Sequence, residues 1–148
     1  MKVVVQRVLS AEVHIEGKIY AKIGPGVLVF LGVGKGDAIK DTHYLAEKIA
    51  NLRIFPDSDG KMSLSIKDLH LEALVVSQFT LYGDVSQGRR PDFTEAEDPN
   101  LAKPLYEEFI ANLQKNIQRE VASGSFGAKM QIHLVNEGPV TILISSKK

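Results

Sequence analysis

Cysteine is absent from the 148 residues, which excludes disulfides, thiolate zinc sites and cysteine nucleophiles. Long hydrophobic runs are absent too. The longest, Val27 to Val33, falls far short of the roughly 20 apolar residues that cross a bilayer. The apolar run after Lys2 is interrupted by Gln6 and Arg7 before a signal-peptide core can form, so a cytoplasmic location without membrane contact is the expectation. Neither sign of charge is in excess, since 18 Lys and Arg balance 18 Asp and Glu. Proteins that wrap long nucleic acid carry a basic excess, so DNA is not an expected partner. A short nucleic-acid end, with few phosphates to neutralise, is compatible; Lys35, Arg89, Arg90, Lys147 and Lys148 are the candidate contacts.

Catalytic and cofactor signatures are missing as well. Gly32-Val33-Gly34-Lys35-Gly36 lacks the Ser or Thr that follows the lysine of a phosphate loop, and its glycines are too close for a dinucleotide fingerprint. Asp57-Ser58-Asp59-Gly60 places its glycine too early for a calcium loop and has no closing glutamate; it reads as a turn. His14, His43, His70 and His133 show no metal spacing, and no metal or other cofactor is expected. No Gly-x-Ser-x-Gly elbow exists. Ser77 and Thr80 remain as hydroxyls without a visible activating base, and such hydroxyls are poor nucleophiles at neutral pH.

What is present is ordinary soluble-domain material: 44% hydrophobic and 24% charged residues in a length that fits one domain, residues 1–148, burying roughly 70% of its unfolded surface. Val3 to Ile15 and Lys18 to Ile23 alternate around Glu16-Gly17 as a hairpin. Val27 to Leu31 and Leu74 to Val76 read as buried strands. From Ile39, Leu45, Ile49 and Leu52 share a helical face. Gly83 to Asn100 is polar and reads as a surface loop. Leu105, Phe109, Leu113, Ile117 and Val121 recur every fourth residue and predict a second helix. Asp98-Pro99 offers it a start, Pro104 a later one, and Gly124 to Gly127 an end. Two last strands, Met130 to Val135 and Val140 to Ile144, are expected on either side of Gly138-Pro139, because proline cannot donate to a ladder.

Two islands carry the function. Ser77-Gln78-Phe79-Thr80-Leu81 falls at the carboxyl end of a buried strand, where sites collect in layered folds. Asn136-Glu137-Gly138-Pro139-Val140-Thr141 places a bare glycine backbone before a proline whose peptide bond adopts cis cheaply. Together with Met1 to Val8, Gly60 to Ser65 and Gly88 to Phe93, in that order, these islands resemble the signature motifs of the D-aminoacyl-tRNA deacylases, which strip wrongly attached D-amino acids from tRNA. The resemblance runs over nearly the whole chain.

The resemblance implies an α/β fold with mostly antiparallel sheets stacked into a barrel-like core and two main helices packed outside. It implies a homodimer acting on the 3′ end of aminoacylated tRNA, with Ser77, Gln78, Phe79 and Thr80 as catalytic residues and Arg7, Gly138, Pro139, Val140 and Thr141 as substrate-binding ones. Backbone N–H groups near Phe79 and Thr80 would polarise the ester carbonyl, Gln78 would orient the terminal adenosine, and the ribose 2′-OH would direct the attacking water, with proximity supplying much of the rate. In that family the Gly-Pro pair is cis, enters the partner subunit's pocket and occupies the space of an L side chain; the residue matching Arg7 orients it. Exclusion of this kind leaves glycyl-tRNA open to cleavage. The competing expectations are an editing domain of the archaeal threonyl-tRNA synthetase type, a non-catalytic dimeric protein that binds tRNA ends, and a small-molecule esterase.

Overall fold

The fold was obtained as a computed structural model that describes residues 1–147; Lys148, one of the candidate phosphate contacts, lies outside them. Its spine is β1 (Lys2–Ile15), which bends back at Glu16-Gly17 into β2 (Lys18–Ile23). Both turn residues have positive φ, 52° and 77°, as a tight hairpin between right-twisted strands requires. After Gly24-Pro25 comes β3 (Gly26–Gly32), then α1 (Ile39–Ala50), the short pair β4 (Phe55–Pro56) and β5 (Met62–Leu64), one turn of helix α2 (Ile66–Leu69), and β6 (Glu72–Ser77). A 3-10 turn over Phe79–Tyr82 follows, then α3 (Pro99–Ile117), the two-residue β7 (Ala122–Ser123) and β8 (Gln131–Ser145).

β1 is long enough to serve two half-sheets. Its first half pairs with β3, Lys2 facing Gly32 and Val8 facing Gly26; its second half pairs with β2. Along its other edge it pairs with β8 almost end to end. These pairings are antiparallel, whereas β3–β6 and β6–β7 are parallel. The sheet curls into a nearly closed barrel, and α1 and α3 pack outside it, as expected.

Two apolar clusters follow from the curl. Val3, Val5, Val27, Val29 and Val75 point outward against Leu45, Ile49, Phe109 and Leu113 of the helices. Val8, Val13, Leu28, Leu74 and Val76 point into the barrel. β3 and β6 are therefore buried on both faces, which is why they read as unbroken apolar runs rather than alternations. Between the helices, the buried Asn112 amide donates to Thr42 Oγ1 at 3.0 Å, a polar tie inside an otherwise apolar seam.

Three expectations are corrected here. α3 begins at Pro99 and not at Pro104: the Asp98 carboxylate accepts the Asn100 N–H at 2.9 Å, and this cap outweighs the one bond that Pro104 withholds. α3 ends at Gln118, which is left-handed at φ 54°, well before Gly124; Val121 is buried, but by a chain that has already turned. Finally, the two last strands are one strand, β8, with an interruption in its pairing.

Candidate active site

The first island is positioned by the ladder. Ser77 faces Leu31 across the parallel β3–β6 pair, and the Gln78 N–H donates to the Leu31 carbonyl at 2.8 Å. The ladder stops there. The chain then tightens into the 3-10 turn, in which Leu81 N–H reaches the Gln78 carbonyl at 3.2 Å and Gly83 N–H the Thr80 carbonyl at 2.9 Å. The opening N–H groups of a helical turn have no partner within it; among the described residues, those of Phe79 and Thr80 have none elsewhere either. The Gln78 amide donates to the Thr80 hydroxyl. No carboxylate or imidazole is hydrogen-bonded to the hydroxyl of Ser77 or Thr80 among the described residues.

The turn rests on Tyr82, whose ring fills the space that a side chain at Gly34 would need: a Cβ there would lie 2.5 Å from the ring. Burial, together with the nearby Asp37 carboxylate, pushes the Tyr82 phenol well above its ordinary range. Lys2 Nζ lies 4.6 Å from the ring centre.

Ser77, Gln78 and Phe79 form one wall of a cavity of about 590 Å³, and the exposed Thr80 stands beside it without lining it. The opposite walls come from Phe93, Ala96, Glu97 and Asp98, from the start of α3, and from Phe126, Met130 and Ile132. The segment 83–98 is thus a wall, not only a surface loop. Lys35 N–H donates to the Glu95 carbonyl and Glu97 N–H to the Val33 carbonyl, each at 3.0 Å, while Asp84 and Asp92 exchange backbone bonds at 2.8 Å. Their carboxyls are held below the ordinary range, Asp84 by the Ser86 N–H and Asp92 by the Thr94 hydroxyl and N–H. Phe93 meets Phe79 edge-on at 5.1 Å. Of the wall residues within 83–98, only Phe93 stood in a sequence motif. Ala96, Glu97 and Asp98 are small or acidic residues in a polar stretch, and the cavity they share with Phe126, Met130 and Ile132 depends on contacts distant in sequence.

The second island is built differently. Gln6 faces Thr141 and Val8 faces Asn136, so residues 137–140 bulge out opposite Arg7 alone. The Gly138–Pro139 peptide bond is cis. A proline here removes no ladder bond, because no ladder passes through the bulge. Asn136 fastens the neck: its Oδ1 accepts the Val140 N–H and its Nδ2 donates to Thr141 Oγ1, each at 2.9 Å. Gln6 Nε2 donates to the same hydroxyl at 3.3 Å. Arg7 donates through Nε to the Glu137 carbonyl at 3.1 Å and through Nη1 to the Ile54 carbonyl at 2.7 Å. Val140 is buried beneath, while Glu137, Gly138, Pro139 and Thr141 are exposed.

The structure brings Arg7, Gly138, Pro139, Val140 and Thr141 together, and Ser77 to Thr80 together, but it does not bring the two groups to one place. None of Arg7, Gly138, Pro139, Val140 and Thr141 lines the cavity. Arg7 faces Val27, and Ser77 faces Leu31, a separation of roughly 13 Å along the strands. Among the described residues, no group of His, Asp and Glu is arranged to hold a metal, and no helix is long and apolar enough to cross a membrane.

A curled sheet that ends in a tight turn beside a cavity of ligand size has the layout of a small-molecule or ligand-end binding site. Comparison with known proteins is more specific. A family model described as D-Tyr-tRNA(Tyr) deacylase matches residues 4–145, and the chain belongs to that family. It is 57% identical over 148 residues to a D-aminoacyl-tRNA deacylase of Thermosipho africanus, covering 100% of this chain and 99% of the relative. It is 54% identical to one of Thermotoga petrophila, with the same coverage. Among solved structures, a c-Myc DNA Unwinding Element Binding Protein superimposes with a TM-score of 0.95 at 42% identity, covering 100% of both chains. A probable eukaryotic D-amino acid tRNA deacylase shares the fold, with a TM-score of 0.84 at 17% identity and 97% of each chain covered.

Proposed function

We propose that this chain works as one domain in the cytoplasm, hydrolysing the ester of D-aminoacyl-tRNA to free D-amino acid and tRNA. The carrying observation is the pair of N–H groups, those of Phe79 and Thr80, that have no partner among the described residues, beside the cavity that Ser77, Gln78 and Phe79 line. They are donors ready for a carbonyl oxygen that gains negative charge. The partner of the Thr80 hydroxyl is an amide donor and not a base, which favours main-chain stabilisation over attack by Thr80. With no activating base at the corner, the water is directed by the substrate's ribose 2′-OH, and Gln78 orients the terminal adenosine.

The exposed Gly138-Pro139 bulge, standing away from its own chain's cavity, supports a homodimer in which it enters the partner's. There it excludes an L side chain, while Arg7, Val140 and Thr141 hold it in place. Exclusion discriminates where an added contact cannot, since one methylene changes binding by only about 1–3 kcal/mol.

The test is deacylation of matched D- and L-tyrosyl-tRNA. Cleavage of the D form alone is expected, whereas binding without cleavage would mark a tRNA-end binding protein, and L-seryl specificity a synthetase-type editing domain. D-aminoacyl-tRNA ending in 2′-deoxyadenosine should bind but turn over far more slowly; rapid hydrolysis would remove the role of the 2′-OH. Glycyl-tRNA should be cleaved and L-alanyl-tRNA spared, and equal protection of the two would overturn exclusion as the basis of selectivity.

A second reading follows from the structural relative named for binding a DNA element. The balanced charge of this chain disfavours it, because neutralising several phosphates takes a basic surface.

A further inference from the structure

A second groove, of about 450 Å³, lies behind one wall of the cavity and shares Phe126 with it. Its floor is Tyr106, buried, with its one hydroxyl proton shared between the carbonyls of Val75 and Gly124, each 3.3 Å from the oxygen. Over it stands Tyr20, whose placement is unusual. Val13 faces Ala21 and His14 faces Ile19, so Tyr20 is the extra residue of a β-bulge, a device that re-aims a side chain. It is 57% exposed, a large aromatic with nothing stacked on it among the described residues. Lys103 and Glu107, one turn apart on α3, line the groove with Gln114 and Ser125. No carboxylate lies within ion-pair distance of Lys103 among the described residues.

We propose that this groove takes the penultimate nucleotide of the tRNA, the cytidine that precedes the terminal adenosine in every mature acceptor end. The inference rests on the deacylase reading for the adjoining cavity and extends it by one nucleotide. Single-stranded RNA is bound by stacking splayed bases on aromatic side chains and bonding their Watson–Crick edges. Here Tyr20 is the stacking platform. Cytosine presents an N4 amino donor, for which a carboxylate is a matching acceptor, and Glu107 supplies it; Gln114 and Ser125 offer donors to its ring acceptors. Lys103 meets the linking phosphate. A chain with no net charge gains its hold on RNA from such local contacts, not from a basic field.

The test compares D-tyrosyl esters of adenosine and of the dinucleotide cytidylyl-adenosine as substrates. The wild-type protein should show kcat/KM roughly tenfold higher on the dinucleotide, in line with the usual worth of one stacked base, and the gain should lie in KM. Tyr20→Ala should abolish that gain and Tyr20→Phe should keep it; Lys103→Gln should shrink it and weaken its dependence on salt. An abasic residue in place of cytidine should lose most of the gain with wild-type protein, so the test does not depend on any variant folding. Equal rates on the two esters, or a gain that survives Tyr20→Ala, would overturn the groove while leaving the deacylase reading intact. Failure to cleave D-tyrosyl-tRNA itself would overturn that reading instead.

Discussion

The Ser77–Thr80 corner and the bulge at 137–140 are both departures from a strand, yet different bonds hold them. The corner is fixed by main-chain bonds, from Gln78 to Leu31 and across the 3-10 turn. The bulge has lost its ladder and is held by side chains, those of Arg7, Asn136 and Gln6. A site built from backbone tolerates substitution; one tied by side chains breaks when a tie is removed. The proposed division of labour fits this contrast: chemistry at the corner, selection at the bulge.

Arg7→Ala should have the largest effect. It removes two bonds from a charged donor, each worth about 1.5–3 kcal/mol, and leaves the Glu137 and Ile54 carbonyls without it. Discrimination between D- and L-tyrosyl-tRNA should fall about a hundredfold, where every 1.4 kcal/mol or so is a factor of ten. Arg7→Lys should not restore it, because a point charge does not span two carbonyls as the guanidinium fork does. Full selectivity in Arg7→Ala would show that the bulge does not depend on this tie.

Gly34→Ala attacks the corner from beneath by driving a methyl group into the Tyr82 ring. Overpacking costs about 1–3 kcal/mol, to be read by thermal unfolding. Turnover should fall while L-substrates remain protected. Loss of protection with unchanged turnover would reverse the assignment of the two regions.

Asn136→Ala should cost about 1 kcal/mol through the orphaned Val140 N–H, and selectivity should fall about fivefold at unchanged turnover of D-substrates. Thr80→Ala should keep activity within about tenfold, since main-chain donors are left in place; loss of a nucleophile would cost several orders of magnitude, which single-turnover kinetics would detect at once.

The smallest effect is on pH. Asp84 and Asp92 titrate below their ordinary 3.8 because bonds within the loop favour the charged form. A depressed pKa contributes stability that is present above the unfolded value and lost as pH falls through the folded one. The protection of the Ser86 and Thr94 amides relative to their intrinsic exchange should therefore be steady from neutral pH down to about 4 and decline below that, while the Gln78 amide stays protected. Parallel loss of protection at all three would mean that loop and corner open together.

The amino-acid order by itself determined those elements whose cause is local. The two-sided burial of β3 and β6 is written in their apolar runs, the hairpin in Glu16-Gly17, and α1 in the spacing of Leu45 and Ile49. Both candidate islands were legible as motifs, and the strand leading to Ser77 could be read from its composition. Periodicity did not show where α3 starts, because a proline at 104 and a capped proline at 99 give competing local signals, between which the structure selects the cap. Nor did it show that residues on either side of Gly138-Pro139 share one strand, since that depends on β1, far away in sequence, as a common partner. The cavity wall at Phe93 to Asp98, the bulged Tyr20 and the separation of the two islands arise in the same way. Each is a matter of register and closure between distant segments, and the curled sheet decides these as a whole.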